Sequence, residues 1–445
     1  MQKWLIVVVV ACGVAVAQAE EKRPPNVVLI FTDDQGYEDV GCFGSPNIAT
    51  PNLDRMAKEG MKLTDFYVGA PICSASRASL LTGCYCQRVS VTGVYFPRHK
   101  VGLNPKEITI AEMLKDKGYA TACIGKWHLG HLKPFLPTSQ GFDSYFDIPY
   151  SNDMRIKRGN KSGPPLMRNE EIIEHPANQA TLTQRYTEEA VQFIRKSRAK
   201  PFFLYLPHTM PHVPLFASKN FKGKSKRGLY GDVIEEIDWS VGEILKTLRD
   251  LKLDEQTLVI FTSDNGPWLS KKKNGGSAKP LRDGKFSTFE GGMRVPCIVR
   301  WPGKIPAGKT CAEVAATIDV LPTVAALTGA KMPKDRILDG KDVSSLLLGK
   351  KGAKSPHKAY YFYRGNNLQA VRSGKWKLHL RRKGKGKNAI VTDWLFDLAT
   401  DVGEQKNVAE KNPEVVTQLK KMAQSFDAEL KKNRRPQGKI EATKP

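Results

Sequence analysis

A short passage occurs twice in this chain. Ile30-Phe31-Thr32-Asp33-Asp34-Gln35-Gly36 returns as Ile260-Phe261-Thr262-Ser263-Asp264-Asn265-Gly266. In each copy an apolar run with the pattern of a strand buried on both faces stops at acidic or amide residues and then a glycine. Strand-like runs at 26–31, 120–124, 202–206 and 257–261 are separated by stretches with helical signals. One is Thr50-Pro51, a capping residue with proline at the first helical position and Gly60 as the stop; others lie at 110–117, 183–197 and 232–251. This alternation predicts an α/β fold with a mostly parallel sheet covered on both faces. Ligands of open α/β sheets bind beyond the carboxyl ends of the strands, so both copies are expected to face one crevice. Asp33, Asp34, Asp264 and Asn265 bring it only hard oxygen donors, which suit calcium or magnesium and not zinc. A solvated turn with a helix cap would explain either copy alone. The pair, at matching strand ends, makes a metal site the better reading.

From about residue 356 the pattern changes. Strand-like runs at 359–363, 368–372, 376–380 and 394–396 follow one another without helices between them, which predicts a small antiparallel sheet. A final helix is expected from Pro413 to about Lys431. The other end reads as a secretory signal: Lys3, an apolar stretch from Trp4 to Ala17, and the small-x-small site Ala17-Gln18-Ala19 before Glu20-Glu21-Lys22-Arg23. About fourteen apolar residues are short for a membrane anchor. Val9-Val10-Ala11-Cys12 loosely matches a lipoprotein cleavage box, but the residues after Cys12 stay apolar, so plain export ranks above it. After residue 20 no apolar run approaches the ~18 residues that span a bilayer.

Charge narrows the partner. The chain carries 70 Lys plus Arg against 45 Asp plus Glu, a net +25, which draws it to nucleic acid, acidic lipid or acidic polysaccharide. Export counts against nucleic acid. Basic runs at Lys222, Lys224, Lys226 and Arg227, at Lys271 to Lys273, and at Arg381 to Lys387 are the kind usually found as solvated loops. If they rim the crevice they would concentrate a polyanionic substrate there. Without the signal, seven cysteines remain (Cys42, Cys73, Cys84, Cys86, Cys123, Cys297 and Cys311), an odd number that needs an explanation in an exported protein. Cys84-x-Cys86 has the wrong spacing for a zinc knuckle. Cys123 and Cys297 sit inside strand-like runs and read as buried small hydrophobes.

Cys73 opens a helix-like segment, Ser74 to Leu81, closed by Gly83, with Arg77 one turn on. A helix N-terminus beside an arginine lowers a thiol pKa and attracts anions. A buried structural cysteine beside an incidental arginine explains the same residues. Here the wider sequence adds a resemblance. Cys73-Ser74-Ala75-Ser76-Arg77 followed by Leu81-Thr82-Gly83 is similar to the signature of the type I sulfatases. Asp33-Asp34-Gln35-Gly36-Tyr37, Gly125-Lys126-Trp127-His128-Leu129-Gly130, Pro211-His212-Val213-Pro214 and Ser263-Asp264-Asn265-Gly266 match further blocks in order. So does Gly284-Lys285 through Glu290 to Arg294-Val295-Pro296. The resemblance runs from about Asn26 to Val408. Phe135 to Phe142 and Ile148 to Asp153 look most like the branch of arylsulfatase A and N-acetylgalactosamine-6-sulfatase.

The resemblance implies an alkaline-phosphatase-like α/β fold; together with the patterns at the two ends of the chain, the expected layout is a signal peptide at 1–19, a catalytic domain at 24–345, a C-terminal antiparallel sheet plus helix at 346–433, and a flexible basic tail at 434–445. It implies that Cys73 is oxidised to formylglycine by a formylglycine-generating or anaerobic sulfatase-maturing enzyme, which would leave six cysteines free to pair. Ala75 stands where proline is usual, which bears on which maturing enzyme acts. Asp33, Asp34, Asp264 and Asn265, with residue 73, would hold one divalent cation, calcium or alternatively magnesium. Arg77 would stabilise the nucleophilic oxygen, with Lys126 contacting it and the sulfate. His128 would serve as the base that releases sulfate. His212 and Lys285 would bind sulfate and protonate the leaving oxygen. A sulfated carbohydrate is the expected substrate, with no nucleic-acid partner and no membrane span. Two other readings use the same residues: a phosphodiesterase or phosphonate monoester hydrolase, and a non-catalytic binder of sulfated glycans in which Cys73 stays unconverted.

Overall fold

The computed structural model describes residues 23–383 and 390–440. The expected signal peptide, the Cys12 box and the end of the chain beyond 440 lie outside the described residues, as do residues 384–389 of the third basic run. Among the described residues no helix is long and apolar enough to cross a membrane.

Ten strands form one sheet, in the order 171–174, 166–168, 144–147, 120–124, 202–207, 26–32, 257–263, 297–300, 61–63 and 309–311. The five strands from 144–147 to 257–263 are parallel. Asn26–Thr32 lies in the middle and is buried along its whole length, as its continuous apolar sequence requires. Its side chains alternate between two cores. Val27, Leu29 and Phe31 join one with Leu80, Leu81 and Leu114; Val28 and Ile30 join the other with Leu53, Tyr186, Ile194 and Ile237. Pro51–Glu59, Leu182–Ser197 and Leu229–Asp250 therefore cover one face, and Cys73–Thr82, Ile110–Lys115 and Val320–Thr328 the other.

Tyr360–Arg364, Asn367–Ser373, Trp376–Lys383 and Ile390–Asp397 form a four-stranded antiparallel sheet, and Pro413–Lys432 packs on it through Val416, Leu419 and Ala423. This smaller sheet is locked to the larger unit by a buried ionic network. Lys377 Nζ lies 2.8 Å from Glu290 Oε1 and 3.1 Å from Glu404 Oε1, and Glu404 Oε1 also meets His379 Nε2 at 2.9 Å. Arg294 and Tyr67 contact the other oxygen of Glu290. Burial alone would raise the pKa of Glu290, but Lys377, Arg294 and Arg372 outweigh it and hold the carboxyl well below the usual carboxylate range. Removing one partner of such a network strands a buried charge, so Glu290→Gln is expected to cost about 3–5 kcal/mol at pH 7. A carboxyl with a depressed folded-state pKa stabilises above its unfolded pKa of about 4.3 and loses that contribution as pH falls below it. The difference in unfolding free energy between wild type and Glu290→Gln should therefore shrink below about pH 4. Equal stability of the two proteins at pH 7 would contradict this role for the network.

Two expectations are corrected. Residues 434–440 are not a free tail. Arg435 pairs with Glu107 at 2.8 Å and donates its backbone N–H to Arg88 O, and Gly438–Lys439 forms a strand with Val101–Gly102. Arg434, next to Arg435, donates to Ser90 Oγ at 2.9 Å and Asn366 Oδ1 at 2.8 Å. Nor do the cysteines pair: all seven are free thiols. Cys297 and Cys311 both stand opposite Leu63, on either side of the Met61–Leu63 strand. Two strand spacings, about 9–10 Å, separate them, which is beyond disulfide reach.

Candidate active site

Strand register assembles the site. Thr32 is paired with Ser263, so the residues that follow each strand, Asp33-Asp34 and Asp264-Asn265, emerge side by side at the carboxyl edge. The neighbouring strands add their own loops at that edge: Ala120–Ile124 leads to Lys126 and His128, Phe202–Pro207 to His212, and Ser144–Asp147 to Ser151 and Asn152. Gly125 makes the first of these turns feasible. Its φ is +123°, and a Cβ there would stand 2.1 Å from Pro207 O. Asp34 and His128 have φ of 65° and 60°, a conformation costly for non-glycine residues and concentrated at functional sites.

Cys73 arrives from the opposite side. Cys73–Thr82 has all ten residues buried, as its mostly small and apolar sequence allows, with Arg77 paired to Asp264, and it ends at Gly83 in the left-handed conformation. Cys73 is its first residue. Its Sγ lies 3.6 Å from Lys285 Nζ, and one donor atom each of Asp33, Asp34, Cys73 and His212 fall within 4.8 Å of one another. Burial pushes the thiol up to about 12, against the pull of Lys126 and Lys285. The lowering expected from the helix end and Arg77 does not occur because burial outweighs it; the Arg77 guanidinium bonds Asp264 Oδ2 at 2.8 Å and Lys126 O at 2.7 Å. An unmodified Cys73 is therefore a neutral thiol near neutral pH and a poor nucleophile.

The acidic cluster is heavily paired. Lys126 Nζ contacts Asp33 Oδ2; Lys285 Nζ meets Asp34 Oδ2 at 2.7 Å; Asn265 Nδ2 donates to Asp34 Oδ1 at 2.7 Å. Burial would raise the Asp33 pKa, but Lys126, His212 and Arg77 outweigh it and keep the carboxyl well below its usual range. Burial and the charge of Asp33 push Asp264 up to about 7. For Lys285, burial would lower the pKa, but Asp34, Cys73 and Asp33 reverse it, so the ammonium stays charged. Asp33 Oδ1 and Asn265 Oδ1 are buried and accept no hydrogen bond among the described residues. Orphaned acceptors beside carboxylates fit a hard divalent cation, which would satisfy both.

The two histidines have legible tautomers. His128 Nε2 lies 3.0 Å from Tyr95 O, and a carbonyl only accepts, so Nε2 carries the proton and the buried, unpartnered Nδ1 carries the lone pair. Burial, then Lys126 and Arg77, hold its pKa well below the usual histidine value. Tyr95 in turn donates its backbone N–H to Ser74 Oγ at 3.2 Å, which ties His128 to the residue after Cys73. His212 Nδ1 donates to Val213 O at 2.6 Å and lies 3.1 Å from Asn152 Oδ1, so Nε2 faces Asp34 Oδ2 at 3.7 Å.

All ten residues singled out in the sequence lie at this edge of the sheet. Several neighbours complete the site. Ser151 meets Lys126 Nζ at 3.2 Å and Asn152 orients His212; both lie in the Ile148–Asp153 stretch whose likeness to one sulfatase branch was the available signal. Trp268 had no signal: its ring centre is 5.7 Å from that of His212 and 4.6 Å from Lys285 Nζ. Lys271 lies over the same ring at 4.2 Å, so the second basic run reaches the rim of the site. Arg227, of the first, donates to Lys273 O and Gly275 O beside it. His208 is fully buried on the Ser240 side, away from these groups.

This architecture and edge define a class that comparison bears out. The family model described as "Sulfatase" matches residues 25–330, and that of the "N-sulphoglucosamine sulphohydrolase, C-terminal" region matches 282–433. The chain belongs to the sulfatase family and is a sulfuric ester hydrolase. Among its relatives, the dog N-acetylgalactosamine-6-sulfatase is 42% identical over 395 residues, covering 84% of this chain and 75% of the relative. Human arylsulfatase A is 39% identical over 463 residues, covering 94% and 89%. Among solved structures, Ps i-CgsB in complex with k-i-k-neocarrahexaose superposes with a TM-score of 0.78 at 31% identity, covering 91% and 93%. The family is generally dependent on formylglycine and a divalent metal.

Proposed function

We propose that this protein is an exported sulfatase that removes sulfate from a carbohydrate, using a formylglycine made from Cys73 and one divalent cation, and releasing inorganic sulfate. The observation that carries the reading is the convergence at Cys73: Lys285 Nζ at 3.6 Å, and donors of Asp33, Asp34 and His212 within the same 4.8 Å cluster. Asp33, Asp34, Asp264 and Asn265 would hold the cation. Four protein oxygens of mixed type suit the adaptable coordination of calcium better than magnesium, which retains several waters. When bound, it supplies charge neutralisation for the sulfate and acidifies a hydroxyl beside it. A formylglycine hydrate supplies two hydroxyls on one carbon, one to attack sulfur and one whose deprotonation restores the aldehyde and frees sulfate.

The chain's own residues account for the rest. Lys126 and Lys285 remain cationic in a dry pocket and neutralise the sulfate oxygens, where such charges count far more than in water. Arg77 fixes Asp264 and the Lys126 carbonyl, so it holds the acidic edge in shape. Lys285 stands where a leaving oxygen would take its proton, and His212, once protonated at Nε2 as well, would bind the sulfate and share that role. His128 Nδ1 offers a lone pair for the hydroxyl that must be deprotonated. The secretory signal and the basic rim support export and a sulfated polysaccharide as the substrate, and the neocarrahexaose bound by a related structure points the same way.

His128→Ala is expected to lower kcat about 10²- to 10⁴-fold. Because its pKa is depressed, His128 is neutral throughout the near-neutral range, so the acid limb of wild-type kcat should lie below about pH 6.5. An unchanged kcat in this variant would remove the base assignment. The function itself is tested by comparing aryl sulfate with aryl phosphate hydrolysis. Sulfate ester turnover with little phosphate turnover is expected; turnover of phosphate alone would overturn the proposal.

A further inference from the structure

A cavity of about 470 Å³, within the roughly 300–1,000 Å³ range of small-molecule sites, lies between the 283–289 loop and the small antiparallel sheet. It shares a wall with the sulfate pocket. Lys285, whose ammonium touches Asp34 and Cys73, lines it, as does Phe286, which stands edge-on to Trp268 at 5.5 Å. The loop is held in a demanding conformation, with φ of 65° at Asp283 and 72° at Phe286. Its far wall carries groups that the fold leaves unused. Arg364, at the end of its strand, is exposed and has no ion pair among the described residues. Gln369 Oε1 accepts from Thr288 Oγ1 at 3.0 Å, which leaves its amide N–H₂ available. Asp283 adds an exposed carboxylate on the loop side, with Oδ1 accepting the Gly284 N–H at 3.0 Å.

We propose that this cavity binds the sugar next to the sulfated one, and that Arg364 recognises an anionic group, carboxylate or sulfate, on that neighbour. This rests on the sulfatase reading above and extends it to an oligosaccharide substrate with at least two anionic groups. A guanidinium presents a planar fork matched to either anion. Gln369 donates beside it, while Asp283 across the cavity accepts from a sugar hydroxyl and repels the anion, which sets the orientation. The small sheet thereby contributes specificity from a position that the buried network of Glu290, Lys377 and Glu404 holds fixed against the catalytic unit.

The test uses the full chain and three hexosamine-sulfate disaccharides: one with a uronate neighbour, its methyl ester, and one with a sulfated neutral neighbour. An aryl sulfate serves as the reference. In Arg364→Ala, the ratio of kcat/KM for an anionic disaccharide to that for the aryl sulfate should fall about tenfold or more, mainly through KM. The methyl ester should show no such fall, and the disaccharide that responds identifies which anion is read. No change for either anionic disaccharide, or an equal fall for the methyl ester, would overturn the proposal. If wild type hydrolyses no sulfate ester, the sulfatase reading fails, and calorimetric binding of the same disaccharides decides the cavity separately. Binding at least tenfold weaker in Arg364→Ala supports it, and equal binding overturns it.

Discussion

Cys73→Ala is expected to lower sulfate ester turnover about ten-thousand-fold or more, while binding of a sulfated glycan stays close to wild type. The size of the loss follows from the chemistry: removing a nucleophile that acts as a unit with its base and acid removes nearly all covalent catalysis. The selectivity follows from the geometry. Alanine is the best helix former, and position 73 begins a helix whose other nine residues are already buried, so the backbone should stand. Lys126, Lys285 and His212, which would hold the sulfate, approach from other loops and have partners besides the thiol, in Asp33, Asp34 and Asn152. Cys73→Ser sharpens the test. It keeps an oxygen at the right place but cannot carry two hydroxyls on one carbon, so it should be nearly as inactive when left unmodified. Turnover retained in Cys73→Ala would refute the mechanism, and a parallel loss of glycan binding would mean the side chain is structural.

The second large effect concerns the cation. Chelation should abolish turnover, and added calcium should restore it. Asp34→Asn should lose most activity and bind the cation poorly, because Asp34 meets Lys285, Asn265 and the His212 side of the pocket at once. A readout without substrate separates this from a catalytic role. A ligand that binds only the folded state stabilises it by RT ln(1 + [L]/Kd), about 2.7 kcal/mol at a hundred times Kd. Calcium should raise the unfolding temperature of wild type and leave that of Asp34→Asn nearly unmoved. Full activity in a metal-free preparation would remove the cation from the account.

Much of this is legible in the sequence. The twice-occurring strand end works as a signal because parallel strands in register must deliver their following residues to one edge, as the pairing of Thr32 with Ser263 does. Helical and strand periodicities located the main elements to within a few residues, and Ala120–Ile124 matched at both ends. Three things were hidden for physical reasons. The Cys73 pKa depends on burial by distant segments, which overrides the local helix end and Arg77. The anchoring of 434–440 rests on partners such as Glu107 and Arg88, more than three hundred residues away in the chain. Trp268 carries no pattern of its own; only the folding of the 266–275 loop beside His212 and Lys285 gives it a place. The departure at Ala75 also becomes intelligible. It lies in the first helical turn, where N–H groups lack intrahelical acceptors, so alanine and proline are both compatible with the helix there.

The central claim is that Cys73 is converted before it acts. The most direct measurement is the mass of the peptide containing Cys73, taken from active enzyme. The expected result is a peptide lighter than its cysteine form by about 18 Da, the difference between a thiol-bearing carbon and an aldehyde. A fully active preparation whose peptide retains the unmodified cysteine mass would contradict it.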